Sequence, residues 1–391
     1  MKRLVSLILF FILLPLFYSS SLADENLEKI GKYKKIIKQI NYNLPAVVFV
    51  RNELYGQVYT FKPVLNKSAL EKLKNDVIGM YSVILPKKFL LSEEFKKILY
   101  QYSIISIFNN PKTYIYNTNE KVETYVSMSS FGSGIIINPD GYILTTTNII
   151  NPKDEDVKNA IVKDVLRKEF ADEITNDFEE FWKVSLSEDE KLAFQVIVAQ
   201  YLYSSSINLN LKKQIKVRLV NEDRMGYLVK QSDNLSLIKV NEAKLPSSIL
   251  GNQRIDGDSE IFVLGFGISG MIETKLLLQL MEIYSAKPTV HFAGKFNECQ
   301  NSLADGSPIF NPQGELISII KNKLPVNSTE ILSFLGNVKN YQDETNLIYK
   351  KAIDYYFDGD YNRALTEFEN LKKNSPFYNV DMFIKNCYEK L

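Results

Sequence analysis

The chain has 391 residues, of which 45% are apolar and 24% charged, with 47 basic and 46 acidic side chains. This composition is typical of a globular protein, and a net charge of +1 gives no indication of a nucleic-acid partner or of attraction to an anionic membrane surface. The single histidine, His291, excludes a metal site built on several histidines, and any histidine-based catalysis must use it. Cys299 and Cys387 do not make a disulfide scaffold, although they could pair in an oxidising compartment.

The N-terminal segment predicts export. Two basic residues precede an apolar run, Leu4–Tyr18, and Ser19–Ala23 then ends in a small-x-small pattern. These features are typical of a secretory signal, so residues 1–23 are expected to be removed. The alternative is an uncleaved anchor, but the run is shorter than the about 20 apolar residues that a membrane span needs. We expect no membrane span after signal removal and a periplasmic location, with secretion or surface exposure as alternatives.

Helical and strand patterns follow in chain order. Charge and periodicity predict a helix over residues 24–43, and β-branched and aromatic residues predict a strand over Pro45–Val50. A helical insertion is predicted over about 64–103, followed by short β segments between Ile104 and Ser127. A strand, an Asn-Pro-Asp-Gly turn and a second strand predict a hairpin over Gly134–Ile150.

The later part of the chain changes pattern twice. Apolar side chains at helical spacing predict a second helical insertion over about 152–206. Short strands separated by turn residues then favour an all-β sandwich or barrel core. Helical spacing returns from Thr345. The core domain is therefore expected to span 44–340, and a helical segment is expected to span 341–391.

Serine side chains mark the predicted starts of three helices. Ser68 and Ser187 are each followed three residues later by a glutamate, the spacing of a capping box. Ser92 is predicted to cap the helix between them.

The hairpin resembles a known family. Phe131–Ile150, FGSGIIINPDGYILTTTNII, resembles the strand–turn–strand before the catalytic histidine of trypsin-like serine proteases and is most similar to the high-temperature-requirement branch. Asn234–Val240, NLSLIKV, resembles the segment whose aspartate orients that histidine. Leu303–Asn311, LADGSPIFN, resembles the segment that carries the nucleophilic serine. The resemblance covers roughly Leu44–Leu335 without the helical insertions.

The catalytic positions of that family fall on other residues in this chain. The histidine position holds Asn148, the aspartate position Asn234 and the serine position Asp305. An amide does not titrate near neutral pH, so Asn148 cannot act as a general base, and a carboxylate stands where a hydroxyl should attack. In the oxyanion region, Leu303 replaces a glycine that would precede the nucleophile, and Gly306 is retained. The resemblance therefore implies a fold whose catalytic triad has been lost.

Two alternative readings keep catalysis open. A one-residue shift would place Asp233 at the aspartate position, although it would turn the apolar side chains of that strand to the other face. Ser302 and Ser307 lie near the nucleophile position in sequence, so a rearranged site would need one of them to meet His291. Otherwise His291 is a structural residue of its strand. The second insertion begins just after Asn148, and it either covers the former cleft or packs on its own domain.

The C-terminal segment resembles one tetratricopeptide repeat. The resemblance rests on small and aromatic residues at the spacing of that repeat: Ala352, Tyr355, Gly359, Asp360, Tyr361, Ala364, Phe368 and Pro376. One repeat cannot bury its apolar face alone. We therefore expect this helical hairpin to pack on the core domain or to hold a partner.

Taken together, the resemblances imply a mainly β fold with helical additions. The expected architecture is a trypsin-like double six-stranded β-barrel with two helical insertions and a C-terminal tetratricopeptide-like hairpin. The expected function is that of an exported, catalytically inactive protease homologue, without cofactor or metal, which binds protein or peptide partners in the cell envelope. The alternatives are an active endopeptidase with a rearranged site and a structural envelope protein. The sequence leaves the identity of the partner and the oligomeric state open.

Overall fold

The computed structural model describes residues 34–272, 287–299 and 303–391. The predicted signal segment and Ser302 lie outside the described residues. The helix predicted over 24–43 is described from residue 34, where helical structure runs to residue 43. No helix in these ranges is long and apolar enough to cross a membrane.

The described strands form two antiparallel sheets. The strands are β1 Val47–Leu65, β2 Ile115–Asn138, β3 Tyr142–Thr146, β4 Asn208–Leu219, β5 Glu222–Gln231, β6 Leu235–Val240, β7 Glu260–Gly265, β8 Gly270–Ile272, β9 Thr289–Lys295, β10 Pro308–Phe310, β11 Leu316–Lys321 and β12 Leu324–Val326. The first sheet has the order β1-β4-β5-β6-β3-β2-β8, and β1 also pairs with β2, so its hydrogen bonding closes into a ring. The second sheet has the order β12-β11-β10-β7-β9.

Helices lie between and after these strands. They are α1 over 34–43, α2 Lys67–Ser82, α3 Lys87–Leu90, α4 Glu93–Asn109, α5 Pro111–Tyr114, α6 Thr147–Ile150, α7 Asp154–Ile161, α8 Arg167–Trp182, α9 Glu188–Tyr203, α10 Ser328–Leu335, α11 Glu344–Asp358, α12 Tyr361–Asn374 and α13 Asp381–Lys390. A π-helical stretch, Val162–Leu166, joins α7 to α8.

The prediction of sheets with two helical insertions is confirmed in this coarse form. "Mainly β" is too strong, because more of the described residues are in helices than in strands. Two six-stranded barrels remain a prediction, since five strands form the second sheet here.

The main core lies between the two sheets. Apolar side chains from both sheets are fully buried there: Val50, Ile135, Leu144, Leu237, Leu264, Phe262, Phe310 and Ile319. Phe262 and Phe310 stack with their ring centroids 5.0 Å apart. The predicted hairpin is present as the end of β2, the turn and β3, with Ile136 opposite Ile143. Its short tight turn brings the residues after β3 to the edge of this core.

Two unusually long strands carry the helical insertions. β1 has 19 residues and β2 has 24, and they pair from Val47 opposite Ile135 out to Leu65 opposite Ile115. Their outer halves form a ribbon on which both insertions pack around a second core. The members of this core include Leu54, Val58, Val126, Leu70, Val77, Phe95, Leu99, Phe170, Phe178, Trp182 and Phe194. The two insertions, far apart in sequence, therefore form one helical layer, and the second packs on the first and on the ribbon.

One local prediction is wrong, and two strand predictions are right only in part. The β segment expected from Ile104 to Phe108 is the end of α4, because burial of Leu99, Ile104 and Ile107 on one helix face outweighs the β propensity of the sequence. Tyr114 ends α5 rather than a strand. The strand expected over Pro45–Val50 is the start of the much longer β1.

The predicted caps are right for two helices of three. Ser92 Oγ accepts a hydrogen bond from the Phe95 N–H at 3.2 Å, and Ser187 and Glu190 form a complete capping box. The helix expected to be capped by Ser68 begins two residues earlier, because Asn66 supplies the cap to the Ala69 N–H at 3.1 Å. Asn is as good a capping residue as Ser, so the pattern alone did not decide between them.

The C-terminal helices α11, α12 and α13 enclose a third core. Its buried members are Tyr349, Ala352, Ile353, Ala364, Phe368, Leu371, Tyr378, Val380, Phe383 and Cys387. This unit is docked on the rest of the chain through polar contacts: Tyr349 donates to the Asn41 carbonyl at 2.9 Å, and Tyr341 donates to Asp140 at 2.8 Å. Cys387 and Cys299 are both free, so the pairing that the sequence allowed is not formed.

Candidate functional site

The three predicted catalytic positions come from three separate elements. Asn148 lies on α6, directly after β3, Asn234 immediately precedes β6, and Asp305 lies in the turn before β10. Backbone hydrogen bonds bring these elements together: the Thr147 N–H donates to the Asn234 carbonyl at 3.1 Å, and the Ser133 N–H donates to the Asp305 carbonyl at 2.9 Å. The fold therefore gathers the predicted positions in one region of the molecule.

Asn148 and Asp305 are hydrogen-bonded to each other. The Asn148 Nδ2 amide donates to Asp305 Oδ2, and the other carboxylate oxygen accepts the Asn322 N–H at 2.6 Å. Both oxygens of Asp305 are thus engaged within the chain. The Asn148 Oδ1 atom is buried without a hydrogen-bond partner. A carboxamide does not titrate near neutral pH, so the residue offers no base toward a substrate. The pair is arranged to hold the turn before β10 against α6.

Asn234 has different partners. Its Nδ2 donates to Glu330 Oε1 at 2.8 Å, and its Oδ1 accepts from Lys321 Nζ at 2.8 Å. Lys321 ends β11 and Glu330 lies on α10, so the amide ties two later elements to the start of β6. In a working triad the third residue would orient the base. Here Asn234 is directed at Lys321 and Glu330.

Two backbone N–H groups of the predicted oxyanion region, those of Asp305 and Gly306, donate hydrogen bonds within the chain. The Asp305 N–H donates to Ser269 Oγ at 3.0 Å, and the Gly306 N–H donates to the Ile320 carbonyl at 2.8 Å. Leu303 packs against the small apolar cluster of the second sheet. An oxyanion hole needs N–H groups that are aimed at the developing charge. The N–H groups of residues 305 and 306 are already committed to partners within the chain.

Gly306 has a backbone that suits only glycine. Its φ is +80°, and a Cβ atom at this position would lie 1.7 Å from the Ser133 carbonyl oxygen. The close approach of the turn to β2 therefore requires Gly306, and the same turn places the Asp305 carboxylate beside α6. The glycine at this position has a structural reason that does not depend on catalysis.

Among the alternative catalytic residues that the structure describes, His291 and Ser307 are not hydrogen-bonded to each other, and Ser302 lies outside the described residues. His291 Nε2 and Ser307 Oγ are both buried without a hydrogen-bond partner, so they are not bonded to each other. Burial lowers the pKa of His291, although backbone hydrogen bonds to Gly265 and Phe266 oppose this shift. Asp233 is exposed, whereas Leu235 and Leu237 beside it are fully buried. The register of β6 therefore directs Asn234, and not Asp233, into the polar network.

Four further residues of the site were missed by sequence reasoning: Ser269, Lys321, Asn322 and Glu330. The one available signal was the Asn322-Lys323 dipeptide between two apolar segments. Both residues have positive φ, +49° and +66°, as in the two-residue turns that favour asparagine. This turn brings the Asn322 N–H to Asp305. The other three residues carry no pattern that separates them from ordinary polar residues.

A cavity in the described part of the chain lies away from these residues. A cavity of about 860 Å³ opens between the β2–β3 turn and the segment after α10, and its lining includes Asp140, Tyr142, Lys230 and Tyr341. Neither Asn148 nor Asp305 lines it. Within the described ranges, no cluster of three acidic, histidine or cysteine side chains is placed to hold a metal ion.

Comparison with known proteins gives a distant likeness. No family model matches the chain, and no curated protein is similar to it. Among solved structures, the chain is similar to the serine endoprotease from Yersinia pestis, with 13% sequence identity and a TM-score of 0.30. The alignment covers 73% of this chain and 56% of that one, so the chain spans little more than half the length of that structure. A likeness at this level does not establish a shared fold.

Proposed function

We propose that the protein is an exported, catalytically inactive relative of the trypsin-like serine proteases that binds protein or peptide partners in the cell envelope. The observation that carries the proposal is the hydrogen bond between Asn148 and Asp305. In the resembling family these positions hold the general base and the nucleophile. An amide cannot take a proton from a nucleophile at neutral pH, and the carboxylate is already bonded to the Asn322 N–H.

The surrounding contacts support inactivity. Removing a complete triad costs on the order of 10⁶ in rate, and the residual activity depends mainly on the oxyanion hole. In this chain the Asp305 N–H is bonded to Ser269 Oγ, and Asn234 is directed at Lys321 and Glu330. The Asp305 N–H and the Asn234 side chain, which the proposed relationship would assign to catalysis, are therefore engaged in hydrogen bonds within the chain.

An outer strand supports peptide binding. Among the described strands, β9 is the end of the second sheet and pairs only with β7. Its seven residues leave one row of backbone N–H and C=O groups to which an extended peptide can add as a further strand. The other outer strands, β8 and β12, have three residues each. Strand addition uses backbone hydrogen bonds and therefore does not need a nucleophile.

One experiment separates the three candidate functions. The chain from Asp24 onward is mixed with fluorescently labelled, unfolded casein, and both anisotropy and cleavage are followed. We expect binding without cleavage. Val290→Lys on β9 should weaken binding, because a lysine on an outer strand opposes strand addition, and Leu324→Lys on β12 is the matched control. Cleavage that survives repurification and is lost in Ser307→Ala would favour an active peptidase, and neither binding nor cleavage would favour a structural envelope protein.

A restored triad gives a second readout in the same assay. The triple variant Asn148→His, Asn234→Asp and Asp305→Ser carries all three family residues. We expect it to remain inactive, because the new aspartate would lie beside Glu330 and the N–H of residue 305 is already bonded. Rapid casein cleavage by this variant would mean that the site still has catalytic geometry. Cell fractionation, with the mass of the mature N-terminus, tests export.

A further inference from the structure

Apolar side chains protrude from one end of the helical layer. Met80, Val83, Ile84 and Leu91 lie at the end of α2, in the following turn and just after α3, and we refer to these four residues as the apolar tip. Val83 is 83% exposed, Ile84 71% and Leu91 80%. Aliphatic side chains scattered singly on a surface are ordinary, but four within one short segment form a patch that needs an explanation.

The apolar tip is held in place by buried neighbours. Tyr81 and Phe89, from the same segment, pack on the fully buried Phe95, with ring centroids 5.7 and 6.0 Å away. Val77, one turn before Met80, is also buried. The segment therefore directs one set of apolar residues into the second core and the other set outward. The exposed side chains are a fixed feature of the helical hairpin formed by α2, α3 and α4.

A stripe on α4 continues the apolar surface. Ile98, Tyr102 and Ile105 are exposed and follow one another at spacings of four and three residues, which places them on one side of the helix. Phe95 and Leu99, on the adjoining face of α4, are buried in the second core. Because α2, α3 and α4 contact one another, the stripe extends outward from the end of the hairpin that carries the apolar tip.

The charged side chains inside the segment that carries the apolar tip are both positive, and the acidic residues Asp76, Glu93 and Glu94 lie just outside it. Lys87 and Lys88 are exposed and stand between Ile84 and Leu91. The sequence from Val77 to Ser92 contains no acidic residue. The net charge of +1 for the whole chain hides this local excess. Protruding aliphatic side chains accompanied by lysines are the combination that binds the interface of an anionic bilayer.

We propose that the apolar tip, with Lys87 and Lys88, docks the protein peripherally on an anionic lipid surface. The aliphatic side chains enter the interfacial region, and the two lysines contact the headgroups. A second copy of the chain fits less well, because a symmetric contact would bring two lysine pairs together. A partner helix would need a groove, whereas these side chains protrude from the surface.

Vesicle flotation tests the proposal. The chain from Asp24 onward retains every described residue and lacks the apolar Leu4–Tyr18 run, which would bind lipid by itself. It is mixed with vesicles of phosphatidylcholine alone or with added phosphatidylglycerol. We expect flotation with the anionic vesicles that weakens as salt is raised. The double variant Val83→Asp with Ile84→Asp should reduce partitioning roughly tenfold or more.

Matched variants distinguish lipid binding by the apolar tip from nonspecific lipid binding by other exposed apolar side chains. Leu347→Asp with Met382→Asp places the same change on exposed apolar residues of α11 and α13, and it should leave flotation unchanged. Lys87→Glu with Lys88→Glu should abolish the preference for anionic vesicles, whereas Lys34→Glu with Lys35→Glu, an exposed pair on α1, should not. The emission of Trp182, the single tryptophan, which is buried in the second core, reports whether each variant is folded.

Three results would overturn the proposal. Absence of flotation with anionic vesicles would exclude it directly. Equal flotation of the parent chain and of both tip variants would show that another surface binds lipid. Self-association that is abolished by Val83→Asp with Ile84→Asp, without flotation of the parent chain, would assign the apolar tip to a contact between copies.

Discussion

Two glycines with almost the same backbone conformation serve different purposes. Gly306 has φ of +80° and Gly359 has φ of +86°. A Cβ atom on Gly306 would meet the Ser133 carbonyl oxygen at 1.7 Å, whereas a Cβ atom on Gly359 would meet nothing within 4 Å. The first glycine is required by a close approach as well as by φ, and the second only by the left-handed end of α11.

This comparison gives a prediction at the residue scale. Gly359→Ala should lower the free energy of unfolding by about 1 kcal/mol, the cost of holding alanine at positive φ. Gly306→Ala should cost about 3 kcal/mol or more, because the new methyl group also forces the turn away from β2. Urea unfolding followed by Trp182 fluorescence and circular dichroism measures both variants. Equal costs would mean that the turn before β10 relaxes freely and that the glycine is not needed for close packing.

At the scale of elements, α11 is attached to the β core by one buried amide. Asn346 Oδ1 accepts the Ser247 N–H at 2.8 Å, and its Nδ2 donates to the Leu245 carbonyl at 3.1 Å. The amide thus replaces the hydrogen bonds that a neighbouring strand would give to the loop before β7. Burying these backbone groups without partners would be costly.

Removing this amide should loosen the C-terminal unit. Asn346→Ala leaves the Ser247 N–H and the Leu245 carbonyl buried and unpaired, so we expect a loss of about 1–3 kcal/mol in the free energy of unfolding. Hydrogen exchange should accelerate first in α11 to α13. Asn370→Ala, on the exposed side of α12, is the control and should change little. Unchanged exchange in Asn346→Ala would mean that the apolar contacts of α1 and α11 hold the unit on their own.

Elements with local signals were predictable, and elements with distant partners were not. The hairpin of β2 and β3 and the capping box at Ser187 depend on neighbours within a few residues, so the pattern revealed them. The outer half of β1 pairs with a part of β2 more than fifty residues away, and its side chains alternate around a core that is built by the helical insertions. No short window of sequence contains that information, so only the first residues of β1 were predicted as a strand.

The same distinction applies to the site. The protease-like pattern identified Asn148, Asn234 and Asp305, because each lies beside a strand or turn with strong local constraints. It did not show that Asn148 forms a hydrogen bond with Asp305, whereas Asn234 forms hydrogen bonds with Lys321 and Glu330. Those partners depend on how β11 and α10 return to the start of β6. The sequence thus predicted which residues would be near one another, and the fold decided which of them are bonded.

At the scale of the whole molecule, three cores are built from segments that alternate along the chain. The main core contains residues from Ile40 to Leu335. The helical insertions that build the second core interrupt this range of the sequence twice. The third core, at the C-terminus, packs against Tyr42 of α1. Unfolding of the main core therefore frees the ends of the other two. We expect a largely cooperative transition in which one buried group can affect the stability of the entire chain.

His291 is partly buried, with its Nε2 atom fully covered, and it gives a prediction for pH. Its pKa in the folded chain is lowered by burial from the ordinary value of 6.5, so the folded state resists protonation that the unfolded state accepts. Stability is therefore complete above this value and is lost as the pH falls through it toward the lower folded pKa, by no more than about 1.4 kcal/mol per pH unit. As the single histidine of the chain, it is the one side chain with an ordinary pKa in this window. Urea unfolding should show this slope in the parent chain and a flat profile in His291→Gln between about pH 7 and about pH 5.5. A slope that persists in the variant would assign the pH dependence to carboxylates and would show that burial of His291 has no effect on folding.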